Sequence, residues 1–203
     1  MKALLEKDCD VCTEGGYGDS AIYEEPAFSY NPIPGAIRNG ALSGYFQSEK
    51  YFQEFETEIR SLFRHLTARK KKNVAGVHLR LGDYLETPEL YHTLDASFLQ
   101  TALSRLSKKI RQLVIFSDSP DQAMELVRQV PAAKNFELVV DRHDTLGALR
   151  ELTAMQELVL SCSSFSWWGA YLGNQKKVFI QKKWFSGTII DDQDIYRKNW
   201  IKL

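Results

Sequence analysis

From residue 73 onward, short apolar runs alternate with longer amphipathic stretches. The runs at 74–79, 113–116, 136–140, 158–160 and 177–180 are too short for helices and nearly continuous in apolar character, as strands buried on both faces are. Between them, 95–106, 121–130, 146–155 and 166–172 place apolar residues at helical spacing. In the first of these, Asp95 is the cap, and Phe98, Leu99, Ala102, Leu103 and Leu106 form the inward stripe. Strands alternating with helices predict a parallel α/β sheet of Rossmann-like type with helices on both faces.

The chain before residue 73 lacks this alternation. Residues 1–45 are rich in Gly, Pro, Tyr and acidic side chains, which predicts loops with one short strand. Ser48 is placed to cap a helix over 48–69 whose stripe is Phe52, Phe55, Ile59, Leu62 and Phe63. The basic run 69–72 closes it, and such charge suits a solvated helix C-terminus. Two units are expected: a connecting segment with one helix over 1–72, and a Rossmann-like domain over 73–203.

Composition narrows the class. The 203 residues are 44% hydrophobic and 26% charged, ordinary for a globular chain, and the formal net charge is zero. Zero net charge gives nucleic-acid binding no overall electrostatic support. No apolar run approaches the roughly 20 residues of a membrane helix. Charge arrives too early at the N-terminus for a signal peptide, so a cytoplasmic chain is expected, with peripheral contact at a membrane surface left open. Oligomeric state is not legible. The three cysteines are Cys9, Cys12 and Cys162, an odd count that argues against a disulfide framework. Cys9 and Cys12 have half a zinc-knuckle spacing without a second ligand pair, so free thiols are expected and no metal site. Cys162 reads as a small buried filler.

In a parallel α/β sheet, ligands bind at the carboxyl ends of the strands. Four strand ends carry polar chemistry here: Arg80 and Asp83; Ser117, Asp118 and Ser119; Asp141 and His143; and the run Ser161 to Ser166. A serine-rich turn feeding a helix builds an anion site from hydroxyls and unpaired N–H groups. Arg80 adds a fixed fork of donors suited to phosphate. His78 and Arg80, two apart, share one face of an extended strand, and Gly82 allows a sharp turn after it. Asp83 could orient Arg80, hold a substrate hydroxyl or serve as a base. The pattern fits a nucleotide with phosphates near Arg80 and the serines, although neither the dinucleotide fingerprint nor the P-loop is present.

Two stretches carry a family resemblance. His78-Leu-Arg80-Leu-Gly82-Asp83-Tyr84 resembles the His-x-Arg-Arg-Gly-Asp-Tyr hallmark of the α-1,2-fucosyltransferases, glycosyltransferase family 11. The run from Ser163 to Ala170 resembles that family's Asn-Ser-Ser-Phe-Ser-Trp-Trp-Gly-Ala hallmark. The lead-in from Leu42 to Phe52, the Phe116-Ser-Asp118 turn, Trp184 and Trp200 are similar as well. The resemblance implies the donor-binding half of a GT-B-like glycosyltransferase. It implies metal-free, inverting transfer of L-fucose from GDP-β-L-fucose to the 2-hydroxyl of a galactose-terminated acceptor. No cofactor is expected beyond this co-substrate.

Carried onto this chain, the resemblance puts Arg80 on the diphosphate, joined by Ser163, Ser164, Phe165 and Ser166. His78 either contacts the guanine or braces Arg80, with a neutral structural histidine as the alternative. Gly82 and Asp118 complete the donor set. Asp83 and Glu86 are the candidates for the base, and pairing with Arg80 explains Asp83 equally well. Three departures stand out. Leu81 replaces the second arginine, and Cys162 replaces the asparagine. Residues 1–43 are too short for the family's first Rossmann-like domain, so about the first third of a family member is expected to be absent. A non-catalytic GDP-sugar-binding module is therefore the alternative to an enzyme.

Overall fold

The computed structural model describes residues 21–34, 40–82, 94–186 and 190–203. A six-stranded, wholly parallel sheet forms its centre. Its strands are β3 (Val74–Leu79), β4 (Gln112–Ser117), β5 (Glu137–Val140), β6 (Glu157–Leu160), β7 (Lys177–Ile180) and β8 (Ile201–Lys202). They lie side by side in the order β5-β4-β3-β6-β7-β8. The first three strands step outward in one direction, and the chain then returns past β3 and steps outward in the other. This is the doubly wound Rossmann order, and it opens a crevice between β3 and β6 where the direction reverses.

Alternation along the strands explains the two helical layers. Leu113 and Ile115 of β4 face a core shared with Ala75, Val77 and Leu79 of β3, and Val114 and Phe116 face the opposite core. Helices α2 (Ala96–Ser104) and α3 (Pro120–Arg128) bury Leu99, Leu103, Ala123 and Val127 on the first face. On the second, α4 (Thr145–Ala154) and α5 (Ser164–Gly173) bury Leu152, Trp167, Ala170 and Tyr171. Capping sets the helix starts. The Asp95 carboxylate accepts the Phe98 N–H at 2.6 Å, and Asp144 accepts the Gly147 N–H at 2.8 Å. Pro120 opens α3, where its missing N–H costs nothing. Asn174 closes α5 in the left-handed conformation at φ 50°.

The segment before the sheet departs from expectation. The predicted helix over 48–69 divides into 3-10 turns at Glu49–Tyr51, Gln53–Phe55 and Arg64–Leu66 around a short α1 (Glu56–Leu62). Ser48 does cap, accepting the Lys50 N–H at 3.3 Å, but it caps only the first turn. Phe52 leaves helical geometry at φ −139°, ψ 11°, and its ring stacks on Trp168 with centroids 5.4 Å apart. Phe52, Ile59 and Phe63 pack on the second core, whereas Phe55 and Leu62 are exposed. The stripe is therefore irregular because it follows the aromatic surface of α5 rather than a flat partner. Ahead of it, β1 (Ala21–Glu24) and β2 (Gly40–Ser43) pair in parallel where one strand is expected. Among the described residues, no helix is long and apolar enough to cross a membrane.

Gly76 sits where β3 passes closest to its neighbours. A Cβ there would lie 2.8 Å from Leu158 Cδ2 and 2.8 Å from Met155 Cγ. Gly76→Ala is expected to cost about 1–3 kcal/mol through overpacking. Urea unfolding should show it as a lower midpoint at unchanged slope.

Candidate functional site

The crevice between β3 and β6 is bordered by polar groups from three strand ends. The chain leaving β3 is held from both sides. From β4, Asp118 accepts the Leu81 N–H at Oδ1 (3.0 Å) and the Gly82 N–H at Oδ2 (3.1 Å). The same carboxylate lies 3.3 Å from Arg80 Nε. From β6, Ser161 Oγ accepts the Arg80 backbone N–H at 3.0 Å and lies 2.8 Å from His78 Nδ1. Gly82 is needed for close approach: a Cβ would stand 2.8 Å from Asp118 Oδ2. Its φ is not in the left-handed region, so the sharp turn expected of it is not what requires glycine. Leu81 is 3% exposed and packs in the first core, so a charge at this position would have to be buried.

Across the crevice, α5 begins at Ser164, two residues earlier than predicted. Ser163 occupies the cap position with extended geometry, yet its side chain makes no capping bond. The first turn of α5 therefore keeps N–H groups that only an external acceptor would satisfy. Ser164 is exposed and Phe165 half-buried at this turn. Ser166 departs from the expectation of a hydroxyl offered to ligand. It is fully buried, and its Oγ lies 3.3 Å from the Ser161 carbonyl oxygen and 3.1 Å from that of Ser163, donating to this pair. It braces the turn from inside. Cys162, just before, is buried with its thiol against the Lys183 carbonyl at 3.4 Å, and burial pushes its pKa up.

A cleft of about 410 Å³ opens beside this crevice, over the ends of β4 and β5. His78, Arg80, Asp118 and Phe165 line one side, and Asp141, Arg142 and His143 the other. Arg142 carries no signal of its own in the sequence, although its neighbours Asp141 and His143 mark the same strand end. It is exposed and lies 3.6 Å from Asp121. His143 is exposed too, and its 2.6 Å hydrogen bond to Asp141 raises its pKa above the usual histidine value. His78 behaves oppositely. Burial lowers its pKa to about 4, with Asp118 opposing and Arg80 reinforcing the shift. The ring is neutral at physiological pH and packs 5.6 Å from Phe165, which suits a brace for Arg80 and a wall for the cleft.

The fold thus brings His78, Arg80, Gly82, Asp118, Ser163, Ser164 and Phe165 to one edge. Asp83 and Glu86 lie outside the described residues, as do Cys9 and Cys12. Among the described residues, no three His, Cys, Asp or Glu side chains gather closely enough to hold a metal ion.

The family model for glycosyl transferase family 11 matches residues 24–203. A relative from Escherichia coli, an alpha-1,2-colitosyltransferase, is 22% identical over 202 residues, spanning 91% of this chain and 69% of its own length. A crystal structure of POFUT1 in complex with GDP overlaps 60% of this chain at a TM-score of 0.36 and 16% identity. This chain spans 43% of that one.

Because His78 titrates near pH 4 when folded and near 6.5 when unfolded, its linkage sign is fixed. Above pH 6.5 the ring is neutral in both states and contributes nothing. Between 6.5 and 4 only the unfolded chain binds the proton, so stability falls as pH falls, by on the order of 3 kcal/mol in all. Chemical denaturation of wild type and His78→Asn between pH 7 and 4 measures it. The variant should lose less stability over that window.

Proposed function

This chain belongs to glycosyl transferase family 11, and on that premise we propose that it moves L-fucose from GDP-β-L-fucose to the 2-hydroxyl of a terminal galactoside, inverting the anomeric carbon. The observation that carries the proposal is the facing pair at the strand-order reversal. On one side stands a guanidinium held by a carboxylate, and on the other a helix N-terminus without a side-chain cap. Both are donors for the same anion.

The leaving group in such a transfer is GDP, so negative charge grows on the β-phosphate as the glycosidic bond breaks. Arg80, fixed through Asp118, stabilises that charge more in the transition state than in the ground state. The N–H groups at Ser164 and Phe165 share the load. Side-chain and backbone charge, without a metal, would neutralise the diphosphate. His78 and Asp118 keep Arg80 in place, and the cleft running toward Asp141 and Thr145 has room for the nucleoside. The acceptor hydroxyl must lose a proton, and Asp83 and Glu86, which follow Arg80, are proposed as candidates for the base. The name of the Escherichia coli relative supports the 1,2 linkage.

Arg80→Ala is expected to lower fucose transfer to lactose on the order of 10²-fold or more. Arg80→Lys should rescue only part of it, because lysine has no planar fork. Product formation under single-turnover conditions, with GDP affinity measured by calorimetry on the same proteins, checks both. Transfer that survives Arg80→Ala, or wild type that fails to bind GDP, would overturn the proposal.

A further inference from the structure

On the other side of the α5 N-terminus lies a second cavity of about 250 Å³. Tyr45, Phe46, Trp168 and Trp184 make its walls largely aromatic, and Gln47 and Ser164 add polar groups. Ser164 lines this cavity and Phe165, the next residue, lines the nucleotide cleft, so the first turn of α5 borders both.

The wall at 44–47 is held in an unusual conformation. Glu25 Oε2 accepts the N–H groups of Tyr45 at 2.7 Å and Phe46 at 2.9 Å. Phe46 sits at φ 47°, a left-handed conformation costly for an aromatic residue. Gly44 stands at φ 153°, and a Cβ there would lie 2.4 Å from Glu25 Cβ. A carboxylate thus fixes a strained loop at the mouth of a cavity. Just beyond it, Gln47 Oε1 is buried and accepts no hydrogen bond among the described residues. Such an acceptor is costly until a donor reaches it. Tyr45 is 67% exposed at the same mouth, a large ring left toward solvent.

These features fit a pyranose ring. A sugar has an apolar C–H face, which aromatic rings attract through their negative faces, and a rim of hydroxyl donors. Among the described residues, the lining contains no lysine or arginine, which does not suit the diphosphate. We infer that this cavity receives the hexosyl group of the nucleotide sugar. Its C–H face would lie against Tyr45 and Trp168, and one hydroxyl would donate to Gln47 Oε1 once that buried amide turns toward the cavity. The inference rests on the nucleotide-sugar function proposed above. The diphosphate at the start of α5 would then join a nucleoside on the Phe165 side to a hexose on the Ser164 side.

Calorimetry on the full chain with GDP and with GDP-fucose tests the inference. Wild type should bind GDP-fucose more tightly than GDP. Gln47→Met and Tyr45→Ala should leave GDP affinity unchanged, and each should cut the gain from the sugar by roughly fivefold to tenfold. Gln47→Met should not lower Tm, because it replaces an unpartnered buried oxygen with an apolar group. If Gln47→Met does not fold, the exposed Tyr45 position still decides the question. An unchanged sugar gain in the folded variants, or no gain in wild type, overturns the inference and leaves GDP binding standing. A raised KM for the galactoside with donor affinity unchanged also overturns it and gives the cavity to the acceptor. Wild type that binds neither ligand defeats the nucleotide function and this inference together.

Discussion

The carboxylate of Asp118 is the contact on which the candidate site depends. Its two oxygens take the N–H groups of Leu81 and Gly82 and stand beside the guanidinium of Arg80. Without it, the chain leaving β3 would have two backbone donors unmet in a half-buried place, and the Arg80 guanidinium would lose the carboxylate beside its Nε. Ser161 does the matching work from β6, taking the Arg80 N–H and meeting His78. Three neighbouring strands are thereby tied at their carboxyl ends by side chains, beyond the last ladder hydrogen bonds. The partly exposed ion pair itself is worth little in isolation. Its value lies in orientation, since a guanidinium already in place need not be ordered when an anion arrives.

Helix α5 serves both the core and the site. Its body is among the most apolar parts of the chain: Trp167, Ala170, Tyr171 and Leu172 are buried. Trp167 stacks on Tyr171 at 5.3 Å, and its indole donates to the Ile195 carbonyl at 2.6 Å. Arg60 and Arg197 both lie over the Tyr171 ring, at 4.7 and 4.8 Å. Such packing leaves the helix little freedom to shift, so its first turn presents backbone donors at a fixed place. Ser166 completes this from within by spending its hydroxyl on the turn's own carbonyls. A serine in a motif can therefore be indispensable to a site without facing its ligand.

Much of this was legible in the order of residues. Runs such as 74–79 and 158–160 are apolar because both sheet faces are covered, and that burial leaves a mark in composition. Caps such as Asp95 are local chemistry and need only a few neighbours. The segment 48–69 departs from a single helix because its apolar positions answer to a partner far away in the chain. Phe52 obeys the ring of Trp168, not the helix it was expected to join. The two-residue β8 is too short to leave a pattern, and Arg142, though flanked by Asp141 and His143, belongs to no motif that singles out an arginine.

By itself, then, the sequence determined the class of the fold, the strand ends that carry polar groups, and the family hallmarks around Arg80 and Ser164. These are properties of residues close together in the chain, where hydrophobic period and motif spacing act. Only the tertiary structure decided that β3 and β6 are neighbours at the reversal of strand order, and that Asp118 rather than a chain neighbour braces the loop. It alone decided that Ser166 faces inward and that the loop at Tyr45 closes a cavity against α5. Each of these is a contact between segments remote in sequence. It exists because burial and hydrogen-bond satisfaction are optimised over the whole chain, and no local window records that outcome.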